Sequence, residues 1–204
     1  MMNEREMKEN PLNEKESLDL IARMIRNAQG RLERGAGAPM LIWGYVTIAT
    51  TIMVWLAVRH TLDYHYNYVW FLIPVVGSVC MLLRKKQPEG VRTYVDQVVG
   101  YIWIVMGVTG FLLSIVSILS VMWNLPILFI IIIIMGMGST LTGLVTNFKP
   151  MVAGGIAGLL TSIPHYLISG YDIKMLTFAF AFVVMYIIPG HILNYKAKKA
   201  CLKS

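Results

Sequence analysis

The sequence predicts an all-α, polytopic membrane protein: six transmembrane helices preceded by a cytoplasmic amphipathic helix. Three observations carry this reading. The 204 residues are 56% apolar and only 14% charged, whereas a soluble domain carries about 25% charged residues. The apolar residues gather into runs close to the roughly 20 residues that cross about 30 Å of hydrocarbon. The cations, whose excess gives a formal net charge of +7, sit beside those runs. That is the pattern of membrane topology and argues against a nucleic-acid partner.

Taken in order, the spans are expected at about 39–58, 68–83, 98–122, 125–146, 151–168 and 173–193. Pro39 suits the first turn of span one, and Pro74 is expected to kink or shorten span two. Asn124 reads as the N-cap of span four with Pro126 in its first turn, and Asp172 as the cap of span six. The Trp123-Asn124 connection is so short that spans three and four should be antiparallel neighbours. Orientation follows from Lys and Arg. Arg23, Arg26, Arg31 and Arg34 precede span one, and Arg84, Lys85, Lys86 and Arg92 lie between spans two and three. Lys149 separates spans four and five, and Lys196, Lys198, Lys199 and Lys203 follow span six. The alternate connections hold only Arg59 and Lys174. Both termini are therefore expected in the cytoplasm. Interfacial aromatics agree, with Trp43 and Tyr45 inside and Tyr64, Tyr66, Tyr68, Trp70, Trp123, Tyr166 and Tyr171 outside. Cys80 and Cys201 then both fall on the reducing side, which disfavours a disulfide. With no signal-peptide pattern at the start, span one is expected to act as an uncleaved anchor.

The chain thus divides into a cytoplasmic segment (1–37), a transmembrane domain (38–195) and a basic cytoplasmic tail (196–204). Seven of the eleven acidic residues fall in the first segment: Glu4, Glu6, Glu9, Glu14, Glu16, Asp19 and Glu33. Asn13 with Glu16 reads as a capping box. Leu18, Ile21, Ile25, Ala28 and Leu32 follow at helical spacing, with the four arginines on the opposite side. Gly35-Ala36-Gly37-Ala38-Pro39 is expected to end this helix and to hinge it to the membrane domain. Helix 13–34 reads either as lying on the inner membrane surface, or as a docking or homodimerisation helix for a cytoplasmic partner.

Chemistry is sparse. No ionisable residue sits at mid-membrane, which disfavours proton coupling through a carboxylate. His165 and His191 lie near span ends and read as interfacial hydrogen-bonding histidines. G-x-S-x-G, H-E-x-x-H and Walker patterns are missing. His60, Asp63 and His65 are close in one wet loop, but three such residues make a weak metal signal. No catalytic residue, metal site or cofactor is therefore expected. The small residues say more. Gly154 and Gly158 form a GxxxG, Gly136, Thr140 and Gly143 lie near one face of span four, and Gly44, Thr47 and Thr51 recur in span one. Gly100 and Gly107 are a heptad apart in span three. Gly44, Gly107, Gly136, Gly143, Gly154 and Gly158 are accordingly expected at helix–helix contacts. Pro74, Pro164 and Pro189 interrupt three spans and could free carbonyls to line a cavity.

Glu16-Ser17-Leu18 through Met24-Ile25, the Trp43-Gly44-Tyr45 opening of span one, and Tyr186-Ile187-Ile188-Pro189-Gly190-His191 carry a resemblance over most of the chain. Together they resemble an uncharacterised family of multi-pass inner-membrane proteins from Bacteroidota-type bacteria, one without an assigned activity. The resemblance implies a bacterial inner-membrane location and no site residues. The leading expectation is a non-enzymatic regulatory or accessory role, with residues 13–34 contacting lipid or a partner. The alternative is a small transporter or channel for a neutral or apolar solute.

Overall fold

The structure, a computed structural model, describes residues 14–83, 94–119 and 125–201, and for 14–36 the course of the backbone alone. Asn13, the basic residues at 84–86 and 92, Trp123, Asn124 and Lys203 lie outside the described residues, so the capping box, the charges between spans two and three and the Asn124 cap do too. The fold is all-α. Helix α1 runs Glu14–Thr61, a 3-10 helix Tyr64–Phe71 leads into α2 (Leu72–Leu83), and α3 (Tyr94–Leu119), α4 (Ile127–Val145) and α5 (Lys149–Leu167) follow. The last rod is α6 (Tyr171–Phe182), a π-helical turn Val183–Ile187 and α7 (Ile188–Cys201).

Five stretches are long and apolar enough to cross a membrane: Gly37–Thr61, His65–Leu83, Tyr94–Ser117, Ile127–Val145 and Tyr171–Lys196. Helix α5 is as long as α4, at 19 residues, but less apolar overall. The reason lies on one side of it. Its outward stripe, Ala153, Ile156, Leu160, Ile163 and Leu167, is exposed, while Gly154, Gly155, Gly158, Ser162 and His165 are buried. Small and polar residues on the inner face lower the average without wetting the outer one.

Three boundaries differ from expectation. The Gly35–Pro39 stretch does not end a helix: α1 continues through it for 48 residues, about 72 Å at 1.5 Å per residue. Gly37 serves close packing instead. A Cβ at Gly37 would collide with the Asn194 side chain and lie 3.1 Å from the Gly190 carbonyl. Pro39 forfeits its own N–H bond, and the helix runs on through it. Pro74 falls in the first turn of α2, where a missing N–H breaks no helical bond, so the 3-10 segment rather than a kink begins span two. Asp172 is not the cap of α6, which starts from Gly170. It lies in the first turn, where a negative charge opposes the helix dipole, and its carboxylate accepts from the Trp55 indole at 2.6 Å.

Packing is uneven. Helix α5 is central, against α4 on one side and the π turn, α6 and α7 on the other, while α1 packs along α6, the π turn and α7. Helix α3 rests on α4, and α2 on α1. The core gathers Ile132, Met151, Phe178, Ala181, Phe182, Met185 and Tyr186.

Candidate functional site

The chemistry of a membrane bundle resides where polar groups or broken backbone are held away from lipid. Among the described residues the buried polar side chains are Thr47, Thr50, Thr51, Ser139, Thr142, Ser162 and His165. Hydroxyls on helices commonly return their proton to the preceding turn. Thr51 does so to the Thr47 carbonyl at 2.7 Å, and Thr142 to Gly138 at 2.8 Å. They add packing without leaving an open donor.

His165 is set deeper than its position near a helix end suggests, at 2% exposure. Its Nδ1 lies 2.9 Å from Thr177 Oγ1. That hydroxyl donates to the Lys174 carbonyl at 3.0 Å, so it accepts from His165, and the proton of the neutral ring belongs on Nδ1. The bond ties α5 to α6 beside Phe178, whose ring centroid is 6.4 Å from the imidazole. At the other end of the bundle Tyr45 Oη and His191 Nε2 are 2.8 Å apart, joining α1 to α7. Sequence spacing placed both histidines near span ends but gave no partner for either.

The loop cluster separates into two parts. Asp63 caps the 3-10 helix, accepting from the His65 N–H at 2.9 Å and facing its Nδ1 at 2.6 Å. These two bonds, both to the ionised form, hold the Asp63 carboxyl below the usual carboxylate range. His60 belongs to the last turn of α1. Among the described residues no three His, Cys, Asp or Glu groups assemble as a metal site.

The glycines expected at contacts fall into two sets. A Cβ at Gly44 would lie 2.8 Å from the Ile187 side chain, and one at Gly136 would lie 2.9 Å from Leu159 and 3.3 Å from the Gly155 carbonyl. At Gly143 it would meet the Val152 backbone nitrogen at 2.6 Å. At Gly154 it would meet the Val184 carbonyl at 2.8 Å and Pro189 at 2.9 Å, and at Gly158 the Met185 side chain. Gly107 is a correction: nothing described lies within 4 Å of that position, nor of Gly100. Helix α3 meets α4 through Trp103 and Met106, which face Gly138, and through Gly110 near Ile131. Gly100 and Gly107 stand some 80° round the helix from that face at 100° per residue. Gly155 and Gly77 were not singled out. Gly155 fits beneath Thr140, and Gly77 receives the Trp43 ring.

These contacts converge on the π turn. Phe178, Phe182 and Tyr186 recur every fourth residue along α6 and the turn and stack in sequence, with centroids 4.9 and 5.5 Å apart. Trp70 and Trp103 close the two ends, at 5.4 and 6.0 Å. Tyr186 donates its hydroxyl to Met135 Sδ at 3.5 Å. A π turn contains one residue more than the helix needs and is often found where helices work, and here it lies between the glycines of α5 and the first span. Among the described residues it and the 3-10 segment Tyr64–Phe71 are the breaks in α-helical backbone within the spans.

Comparison with protein-family models, with curated proteins and with solved structures yields no match to the chain.

Proposed function

We propose that the chain is a six-span bacterial inner-membrane protein with both termini in the cytoplasm, and that its role is regulatory or accessory rather than catalytic. In this reading α1 is the coupling element. The observation that carries it is the unbroken course of α1 from Glu14 to Thr61. An amphipathic stretch that touches lipid or a partner, and a span gripped by α6 and α7, are then one rigid body. A displacement at Ile21 or Ile25 is felt at Gly37 and Gly44 without a hinge to absorb it. The charge asymmetry of the connections supports the orientation, and the exposed apolar stripe of α5 supports its counting as a span.

A small transporter for a neutral or apolar solute draws less support. The prolines that suggested a path lie at α2's first turn, at α5's end and beside the glycine contacts, where backbones meet instead of parting.

The test is photo-cross-linking in intact cells from Ile21 and Ile25, with Arg23 and Arg26 as controls, combined with cysteine accessibility at both termini. Cross-links to lipid or to one cytoplasmic protein from the apolar stripe alone, with both termini shielded from an impermeant reagent, are expected. Equal cross-linking from both faces, or labelling of either terminus from outside, would overturn the reading.

A further inference from the structure

The π turn leaves two successive backbone carbonyls without their usual donors in the middle of the last span. Ile188 N–H donates to the Val183 carbonyl, one residue further back than the α pattern. The Val184 carbonyl has thereby lost its α donor. Its π donor would be residue 189, a proline with no N–H. The Met185 carbonyl loses its α donor to the same proline, which leaves the Gly190 N–H, one residue further on, as the donor the π pattern offers it. Neighbouring helices add only weak contacts to the two carbonyls. Gly154 presents its Cα to Val184, where a Cβ would lie 2.8 Å from the oxygen, so the contact is of the Cα–H···O kind. Ser139 Oγ donates to the Met185 carbonyl at 3.5 Å, the long limit for such a bond.

The two sides of the turn are held unequally, although α1 and α5 touch both. Helix α7 belongs to α1: Gly37 and Gly190 pack backbone to backbone, and Tyr45 and His191 are hydrogen-bonded at 2.8 Å. Helix α6 is tied in its first half both to α5, by the His165–Thr177 bond at 2.9 Å, and to α1, by the Trp55–Asp172 bond at 2.6 Å. The surface between them is built to slide, since Gly154 and Gly158 have no side chains and Met185, flexible and unbranched, fills the space at Gly158.

We propose that the turn Val183–Ile187 is a mid-membrane joint at which the α1–α7 pair shifts against α4–α5. Moving the extra residue along the helix exchanges one weakly held carbonyl for the next. It also changes the register of the segment it passes by one residue, about 100° of rotation and 1.5 Å of rise. This does not depend on what the N-terminal segment contacts.

Backbone hydrogen exchange of the full chain in lipid nanodiscs tests it. Amides of 186–193 should exchange at least about tenfold faster than those of 138–145, the half of the unbroken α4 that begins beside Met185 and ends on the same side of the bundle. Deleting Val184 removes the extra residue and leaves α6 and α7 in phase, so exchange across 186–193 should slow by at least about tenfold. Pro189→Ala restores one donor and should slow it by about threefold or more. If the deletion loosens the whole bundle, the Pro189→Ala comparison decides alone. Equal exchange in the two segments of the native chain, or unchanged exchange at 186–193 in Pro189→Ala, overturns the joint.

Discussion

Helices α3 and α5 both carry glycines at regular spacing, yet the two helices use them in opposite ways. On α5 the glycines face inward on two sides, Gly155 toward α4 and Gly154 and Gly158 toward the last span. On α3, Gly100 and Gly107 face open space, and large side chains make the contact with α4. Only 6% of the α3 span is buried, against 39% of α4 and 44% of the last span. In lipid, burial of apolar surface gives helices little reason to associate, so close backbone approach and van der Waals contact must supply it. A glycine therefore indicates an interface only when its neighbours on the same face also permit approach. On α3 the contact is made on another face, where the Trp103 and Met106 side chains pack against Gly138 of α4.

The most direct way to break this comparison is the same methyl group at two glycines. Gly155→Ala places its Cβ against the Thr140 nitrogen, at 2.6 Å, and the Gly136 carbonyl, at 3.0 Å, both backbone atoms that cannot rotate away. We expect a loss of about 3 kcal/mol, the upper part of the range for overpacking. Gly107→Ala should be neutral or gain up to about 1 kcal/mol from helix propensity. Thermal unfolding in detergent, read by circular dichroism, gives both signs, and a large loss at Gly107 would show that α3 has a partner on that face.

A second contrast uses aromatic rings. Phe178 is 1% exposed between Trp70 and Phe182, whereas Phe111 on α3 is 51% exposed. Truncating Phe178 to Ala removes ~100 Å³, and at about 24 cal/mol per Å³ of cavity the expected cost is about 2 kcal/mol. Phe111→Ala should cost far less, because lipid chains replace the lost contacts. Similar losses at the two sites in the same unfolding assay would mean that α3 is less peripheral than its exposure indicates.

How much of this was legible follows the physics of each signal. Long apolar runs and flanking cations are properties of composition, and five of the runs stand out again as helices long enough to span. The continuity of α1 was not legible, because Gly35-Ala36-Gly37 with Pro39 is locally a helix stop. Only the approach of Gly190 and Asn194 shows why position 37 is small. The π turn has no local signature beyond Pro189, since the extra residue is defined by what α5 and α1 require on either side. Gly44, Gly136, Gly143, Gly154 and Gly158 were picked by spacing and lie at close contacts, while Gly107, picked by the same rule, does not. Spacing gives a face but not which neighbour it meets.

Smaller effects separate the polar links. Thr177→Val keeps the shape of the side chain but removes the acceptor of the His165 Nδ1–H bond, tying α5 to α6. Hydrogen bonds between membrane helices average about 0.6 kcal/mol and reach about 1.7, and burial places this one near the upper end. Tyr45→Phe breaks the bond to His191, but both residues are exposed, so a loss of a few tenths of a kcal/mol is expected. The ratio of the two losses in one unfolding assay measures how much the interior strengthens a bond.

The smallest effect concerns how α2 begins. Helix α2 buries little of itself, with Gly77 as its buried residue, so its start leans on the 3-10 helix capped by Asp63. Bonds from the His65 N–H and ring hold the Asp63 carboxyl below its ordinary range in the folded protein. A depressed folded value means that the cap's contribution is fully present above the unfolded carboxyl's range and is lost as pH falls through the folded one. Stability of the native chain should therefore decline through that acidic window by more than that of Asp63→Asn, and the two curves should converge below it. Because Asp63 is exposed to solvent the difference is small, and added salt should shrink it further. An offset that stays constant from neutral to acidic pH would assign the cap's work to its geometry, since an asparagine oxygen accepts the same N–H, and would leave the charge without a role.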